Sequence, residues 1–186
     1  MAEDIEIRIA KPSDAENLYK IYEYWNGSFI DGDENKRYFV LKNNFTLPQI
    51  QKIIEGGYAT VAVEKNKCVS FYFINPFFDT GNLQERKDII NNLISKKVLP
   101  PGKFAFSLLS STDVNYLGNG LNTKTLNLLR EIMKDKYDYF VGVMNYSNTA
   151  THKSSLKMGW KHFGDTGFGL LAVTGTTEDR NDKLKL

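Results

Sequence analysis

Residues 103–144 constrain the fold more than any other stretch. Residues 103–111 are an apolar and aromatic run that reads as a strand. Gly118-Asn119-Gly120 then turns the chain. Leu121, Leu128, Leu129, Ile132 and Met133 follow on one face of a helix, and residues 139–144 are a second, fully apolar strand. Strand, helix and strand in that order form a crossover. Such crossovers join parallel strands and are right-handed in nearly all known cases. At least one parallel pair must therefore lie inside the sheet.

The remaining pattern is antiparallel. Ile5, Ile7 and Ile9 alternate with Glu6 and Arg8, which reads as a half-buried strand. Pro12-Ser13-Asp14 opens a helix, with Ser13 or Asp14 as its cap and Leu18, Ile21, Tyr22 and Trp25 at helical spacing. A second helix runs to Glu55. Thr46 caps it, Ile50, Ile53 and Ile54 form its apolar stripe, and Gly56-Gly57 stops it. Residues 58–64 and 68–74 form a hairpin around Lys65-Asn66-Lys67. The long link 75–102 contains a helix at about residues 82–95, before Pro100-Pro101-Gly102 turns the chain into the next strand. Near the end, residues 149–158 form a short helix closed by Gly159. Residues 160–163 and 168–174 form a closing strand pair. The fold class is α/β of the mixed α+β kind: a single domain, residues 1–175, followed by a polar tail, 176–186, expected to be mobile.

A chain of 186 residues suits one domain and buries a sufficient core without disulfides or metal. The net charge of +2, with no dense basic block, argues against nucleic acid or an anionic membrane as partner. No stretch approaches the roughly 18 apolar residues of a membrane span. Residues 1–11 carry acidic side chains and no long apolar core, unlike a secretory signal. The one cysteine, Cys68, lies in an apolar run without a nearby histidine. It reads as a buried structural thiol in a reducing, cytoplasmic setting. His152 and His162 belong to no cluster with metal-ligand spacing, so no metal is expected.

The chemistry concentrates at the glycine turn. Glycines let backbone approach a ligand closely, and the free N–H groups at a helix start, backed by the helix dipole, bind phosphate oxygens. A pyrophosphate can sit on residues 118–123. The motif is neither a Walker loop nor a Gly-x-Gly-x-x-Gly dinucleotide fingerprint.

Two segments together extend this reading. Leu117-Gly118-Asn119-Gly120-Leu121-Asn122 stands between strand and helix. About 25 residues on come a strand, Asn148, a helix and Gly159-Trp160. With Ile7-Arg8, Ala10 and Pro12-Ser13-Asp14 at the start, the chain resembles the GNAT N-acetyltransferase superfamily over about residues 5–174. The resemblance implies a central mixed sheet flanked by helices. Its fourth and fifth strands would splay after about Leu109 and Met144, and an extra helix would lie between the third and fourth strands. It implies acetyl-coenzyme A as co-substrate and a primary amine as acceptor. Main-chain groups of Ser110, Ser111 and Thr112 would pair with the pantetheine arm. N–H groups of Gly118, Asn119, Gly120, Leu121, Asn122 and Thr123 would hold the pyrophosphate, with Leu117 beside them in the cofactor site. Asn148 would bond the pantetheine region, and an N–H near Leu109 or Ser110 would polarise the thioester carbonyl.

The sequence departs from the family pattern where the chemistry needs a proton. The tyrosine that often protonates the leaving thiolate is Ser155 here, which can still bond the sulfur. His152, one turn earlier, and Tyr146, at the strand exit, are the alternative acids. Leu117 replaces the family's Arg/Gln, and Asn122 its last Gly/Ala. The base is expected to be a carboxylate or a water chain; residues 103–112 contain no acid, so Asp31, Asp33 and Glu34 are the candidate carboxylates, unless they only solubilise their loop. The apolar face at Ile89, Ile90, Leu93 and Ile94 either covers the sheet edge or, with Phe77 and Phe78, walls the acceptor pocket. The second case favours a small or extended amine. A homodimer is compatible with the sequence. A non-catalytic acyl-coenzyme A-binding domain is the alternative function, and a phosphate-binding module of unrelated fold is the third.

Overall fold

The computed structural model describes residues 5–27, 45–75, 83–144, 148–165 and 169–184. Seven strands form one sheet: β1 Glu6–Ile9, β2 Ala59–Glu64, β3 Lys67–Asn75, β4 Phe104–Thr112, β5 Tyr139–Met144, β6 Lys161–Asp165 and β7 Leu170–Gly175. Their order is β1-β2-β3-β4-β5-β7-β6. Every neighbouring pair is antiparallel except β4–β5, the parallel pair that the crossover requires. Lys65 and Asn66 both take positive φ, 46° and 68°, as a two-residue hairpin turn demands.

The helices are α1 Ala15–Gly27, α2 Leu47–Glu55, α3 Leu83–Ser95, α4 Leu121–Met133, α5 Thr149–Lys157 and α6 Glu178–Asp182. Helix α4 packs on β1, β2 and β3, and α1 packs on α2 and β3. Phe71 and Phe73 stack at 5.2 Å in the core, and Phe45 meets Phe73 edge-on at 5.6 Å. The buried Thr60 hydroxyl donates to the Thr125 carbonyl at 2.8 Å, tying α4 to the sheet. Among the described residues no helix is long and apolar enough to cross a membrane.

Three sequence expectations are corrected. First, the β4–β5 ladder ends at Phe106↔Val141, about three residues before the expected Leu109 and Met144, so the strands part earlier. Second, α1 is not started by a Ser13 or Asp14 cap. Pro12–Asp14 is a 3-10 turn, and Asp14 accepts instead from the Lys11 amide at 2.7 Å and the Arg8 guanidinium at 2.6 and 2.9 Å. Third, residues 176–184 are docked. Arg180 donates to the carbonyls of Lys134 and Tyr137 and pairs with Asp138 at 3.0 Å, while the Leu184 side chain is fully buried. Leu184→Ala should therefore cost about 2 kcal/mol, the lower end for a buried leucine because the terminus can relax. Chemical denaturation measures it, and an unchanged midpoint would show that the contact carries no stability.

The link between β3 and β4 holds α3 as expected. Ile90 and Leu99 are buried in the main core, with Ile89, Leu93 and Ile94 packed against it. At Gly102 an added Cβ would lie 2.8 Å from the Tyr139 ring, so a side chain there would collide as the chain enters β4.

Candidate active site

Strand β4 meets β5 only at residues 104–106, and beyond that point the two strands diverge. On its other edge, β4 stays paired to β3 as far as Thr112. The register slips between Phe73, opposite Leu109, and Ile74, opposite Ser107, so Leu108 forms a bulge beside the point of divergence. Parting strands leave unpaired backbone groups facing a gap. That gap is a cleft of about 590 Å³, within the usual range for small-molecule sites.

Residues 107–112 form one wall and residues 142–144 the other. Leu117, Gly118 and residues 120–123 form one end, and Thr151 and Ser155 of α5 line it with the helix's caps, Asn148 and Met158. Gly118 and Gly120 have φ of +81° and +69°, and a Cβ on either would meet nothing within 4 Å. The turn is thus glycine for its conformation, and open space lies before it. By helix geometry the first N–H groups of α4 have no acceptor within the helix. Asn122 Nδ2 donates to Ser110 Oγ at 3.1 Å, while its buried Oδ1 has no hydrogen-bond partner among the described residues. Lys153 and Lys157 also line the cleft, and none of the described lining residues is a carboxylate. These features fit an elongated, anionic, phosphate-bearing ligand.

Most of the residues picked from sequence converge here. Ser110, Ser111, Thr112, Leu117, Gly118, Gly120, Leu121, Asn122, Thr123, Asn148 and Ser155 all line the cleft. Asn119 sits between the two glycines, exposed and outside the lining. Several groups already have partners. The Thr112 carbonyl accepts from the Trp25 indole at 2.9 Å, the Ser111 carbonyl accepts from Ser70 at 3.1 Å, and Asn148 Oδ1 caps α5 by accepting from the Thr151 amide at 2.9 Å. His152 lies on α5 but outside the cleft lining. No described residue of α3 lines it. Tyr146, Asp31, Asp33, Glu34, Phe77 and Phe78 lie outside the described residues.

Sequence reasoning missed four residues. Tyr72 and Ser107 share a 2.6 Å hydrogen bond at the start of the cleft, and burial pushes the Tyr72 phenol up to about 12. Each hydroxyl stands among apolar neighbours in its strand, Tyr72 between Phe71 and Phe73 and Ser107 between Phe106 and Leu108. His162 reaches Ser155, with Nε2 and Oγ 2.9 Å apart. Burial, then the neighbouring His152, holds the His162 imidazolium below its ordinary pKa. Arg130 braces this end of the site by donating to the Met158 carbonyl at 2.7 Å and to Thr174. Cys68 is buried outside the cleft, and burial, then the Asp14 carboxylate, pushes its thiol up to about 12, as suits a structural thiol.

No family model and no curated protein matches the sequence. Solved structures match along nearly the whole chain. A GNAT-family acetyltransferase from Listeria monocytogenes is 12% identical with a TM-score of 0.65, covering 93% of this chain and 95% of that one. The PaiA N-acetyltransferase of Thermoplasma acidophilum, solved in complex with coenzyme A, is 12% identical with a TM-score of 0.64, covering 92% and 99%. A ribosomal-protein-alanine N-acetyltransferase from Brucella melitensis is 15% identical with a TM-score of 0.60, covering 90% and 96%. The fold is that of the GNAT acetyltransferases.

Proposed function

We propose that the protein is an acetyl-coenzyme A-dependent N-acetyltransferase acting on a primary amine. The observation that carries this reading is the pairing of a diverging β4–β5 cleft with the open glycine turn at the start of α4. The likeness to a fold that holds coenzyme A in one of its members supports it. Acetyl-coenzyme A would supply an activated acetyl thioester. The N–H groups of residues 118–123 would hold its pyrophosphate, with Lys153 and Lys157 adding positive charge. The exposed β4 edge after Phe106 would pair with the pantetheine arm as an added strand does, and Asn148 would contact it. A main-chain N–H near Leu109 or Ser110, at the Leu108 bulge, would donate to the thioester carbonyl. The acceptor would enter where Tyr72 and Ser107 meet. Holding both reactants in one cleft supplies much of the rate by proximity.

Acetyl-coenzyme A should stabilise the protein by about 2.7 kcal/mol at a hundredfold excess over its Kd. A thermal melt with millimolar acetyl-coenzyme A, beside one with ATP, measures it. A shift with ATP alone would sink the reading. Free-thiol release across a panel of amines then separates an enzyme from an acyl-coenzyme A-binding domain.

A further inference from the structure

Ser155 is buried, yet it stands between two environments. One side is the cleft, which it lines. On the other is His162, half-buried and outside the cleft lining. The two come together because α5 ends at Lys157, Gly159 takes φ +81°, and the chain doubles back into β6 with the Trp160 amide bonded to the Ser155 carbonyl at 3.0 Å. The Ser155 hydroxyl donates to the His152 carbonyl at 2.8 Å. With its one proton so directed, Oγ can only accept from His162, whose Nε2 therefore carries the hydrogen. The bond thus runs from His162 to Ser155, and turning the hydroxyl toward the cleft leaves it intact.

We infer that His162 and Ser155 form a proton relay that delivers a proton from solvent to the departing sulfur of the bound thioester. The relay rests on the coenzyme A reading above. As the C–S bond breaks and its electron pair passes to sulfur, Ser155 gives its hydroxyl proton to that sulfur. It takes in exchange the Nε2 proton of the His162 imidazolium. His162 is left neutral, protonated on Nδ1, and regains its second proton from solvent. That gain balances the proton released by the acceptor amine. Ser155 is the catalytic residue and His162 the positioning residue that supplies it. A serine hydroxyl alone is a poor acid, whereas an imidazolium is more acidic than a thiol of ordinary pKa, about 8.5, so the transfer runs downhill.

The titratable and cationic side chains around the pair are the His152 imidazole, Lys153 and Lys157 on α5, Arg130 of α4 at the Met158 carbonyl, and Lys161 on β6. The His152 ring lies 5.9 Å from that of His162, and β7 presents Ala172 opposite it. All of them remain in the variants below, so differences report the relay.

The test uses coenzyme A as its probe and needs no acceptor. The thiol of bound coenzyme A is titrated by its thiolate absorbance in wild type, Ser155→Ala, His162→Gln and His162→Ala. In the wild type, the hydrogen-bonded relay should make the thiolate about tenfold more populated at a given pH than in Ser155→Ala or His162→Ala. Identical titrations in wild type and Ser155→Ala would overturn the relay. So would a wild-type titration in His162→Ala, which removes the donor that holds Ser155, or wild-type rates of thiol release from acetyl-coenzyme A in His162→Gln, because glutamine can orient Ser155 and keep the titration but cannot pass a proton. If Ser155→Ala fails to fold, the His162 variants carry the comparison. Failure of the wild type to bind coenzyme A would overturn the functional reading and the relay together. Binding with unchanged titrations overturns the relay alone.

Discussion

Gly120→Asp is expected to weaken acetyl-coenzyme A binding roughly 100-fold, because a carboxylate about 5 Å from a phosphate at an effective dielectric near 20 costs about 3 kcal/mol. The fold should survive. Gly120 is exposed at the start of α4, and its Cβ position is empty. The strain is that of a non-glycine residue at φ +69°, about 1 kcal/mol. Calorimetric titration beside a circular dichroism melt separates the two effects. Retained affinity with an intact fold would place the phosphates elsewhere.

Asp14→Ala should be the more damaging change to stability, at about 3 kcal/mol. It strips the Arg8 guanidinium of its carboxylate in a site where both side chains are largely buried, 17% and 7% exposed, and it leaves the Lys11 amide without its acceptor. The loss is pH-dependent. Burial alone would raise the Asp14 pKa, but the bonds from Arg8 and the Lys11 amide outweigh it and hold it below 3.8. A carboxyl with a depressed folded pKa contributes its stability above its unfolded pKa and loses it as pH falls through the folded value. The gap between wild type and variant should therefore be full at neutral pH and narrow below about pH 4. Urea unfolding at several pH values checks this, and a gap that stays constant down to pH 2 would rule out the ion pair as its source.

Elements set by local pattern were legible in the sequence, and pairings across the sheet were not. The crossover, the Lys65-Asn66 turn, α3 and the glycine turn each rest on neighbouring residues, and each stands where the pattern places it. The end of the β4–β5 ladder depends on how two strands 35 residues apart twist against each other, and apolar content runs on past it. Arg180 and Leu184 read as tail because two anchoring side chains cannot be told from solvated ones by composition. In the site, the glycine turn at the start of α4 was legible because glycines followed by a helix pattern are its signal. The His162–Ser155 contact was hidden, since it depends on the reversal at Gly159 and the place of β6 at the sheet edge. The expected catalytic roles of Tyr146 and the acidic loop fall on residues outside the described structure.

The short β4–β5 ladder also bears on mechanics. Three of the nine residues of β4 are stitched to β5, so the sheet consists of two slabs, β1–β4 and β5–β7–β6, joined along a brief seam. Torsional stiffness across a sheet comes from its rungs, and here they are gathered at one end. The open end of the cleft is therefore the compliant end. A ligand arm bonded to β4 within the gap would serve as missing rungs as well as cargo, stiffening the scaffold when loaded. Departure of the spent carrier would return the slabs to their looser seam, so turnover and sheet flexing would share one hinge near Phe106 and Val141.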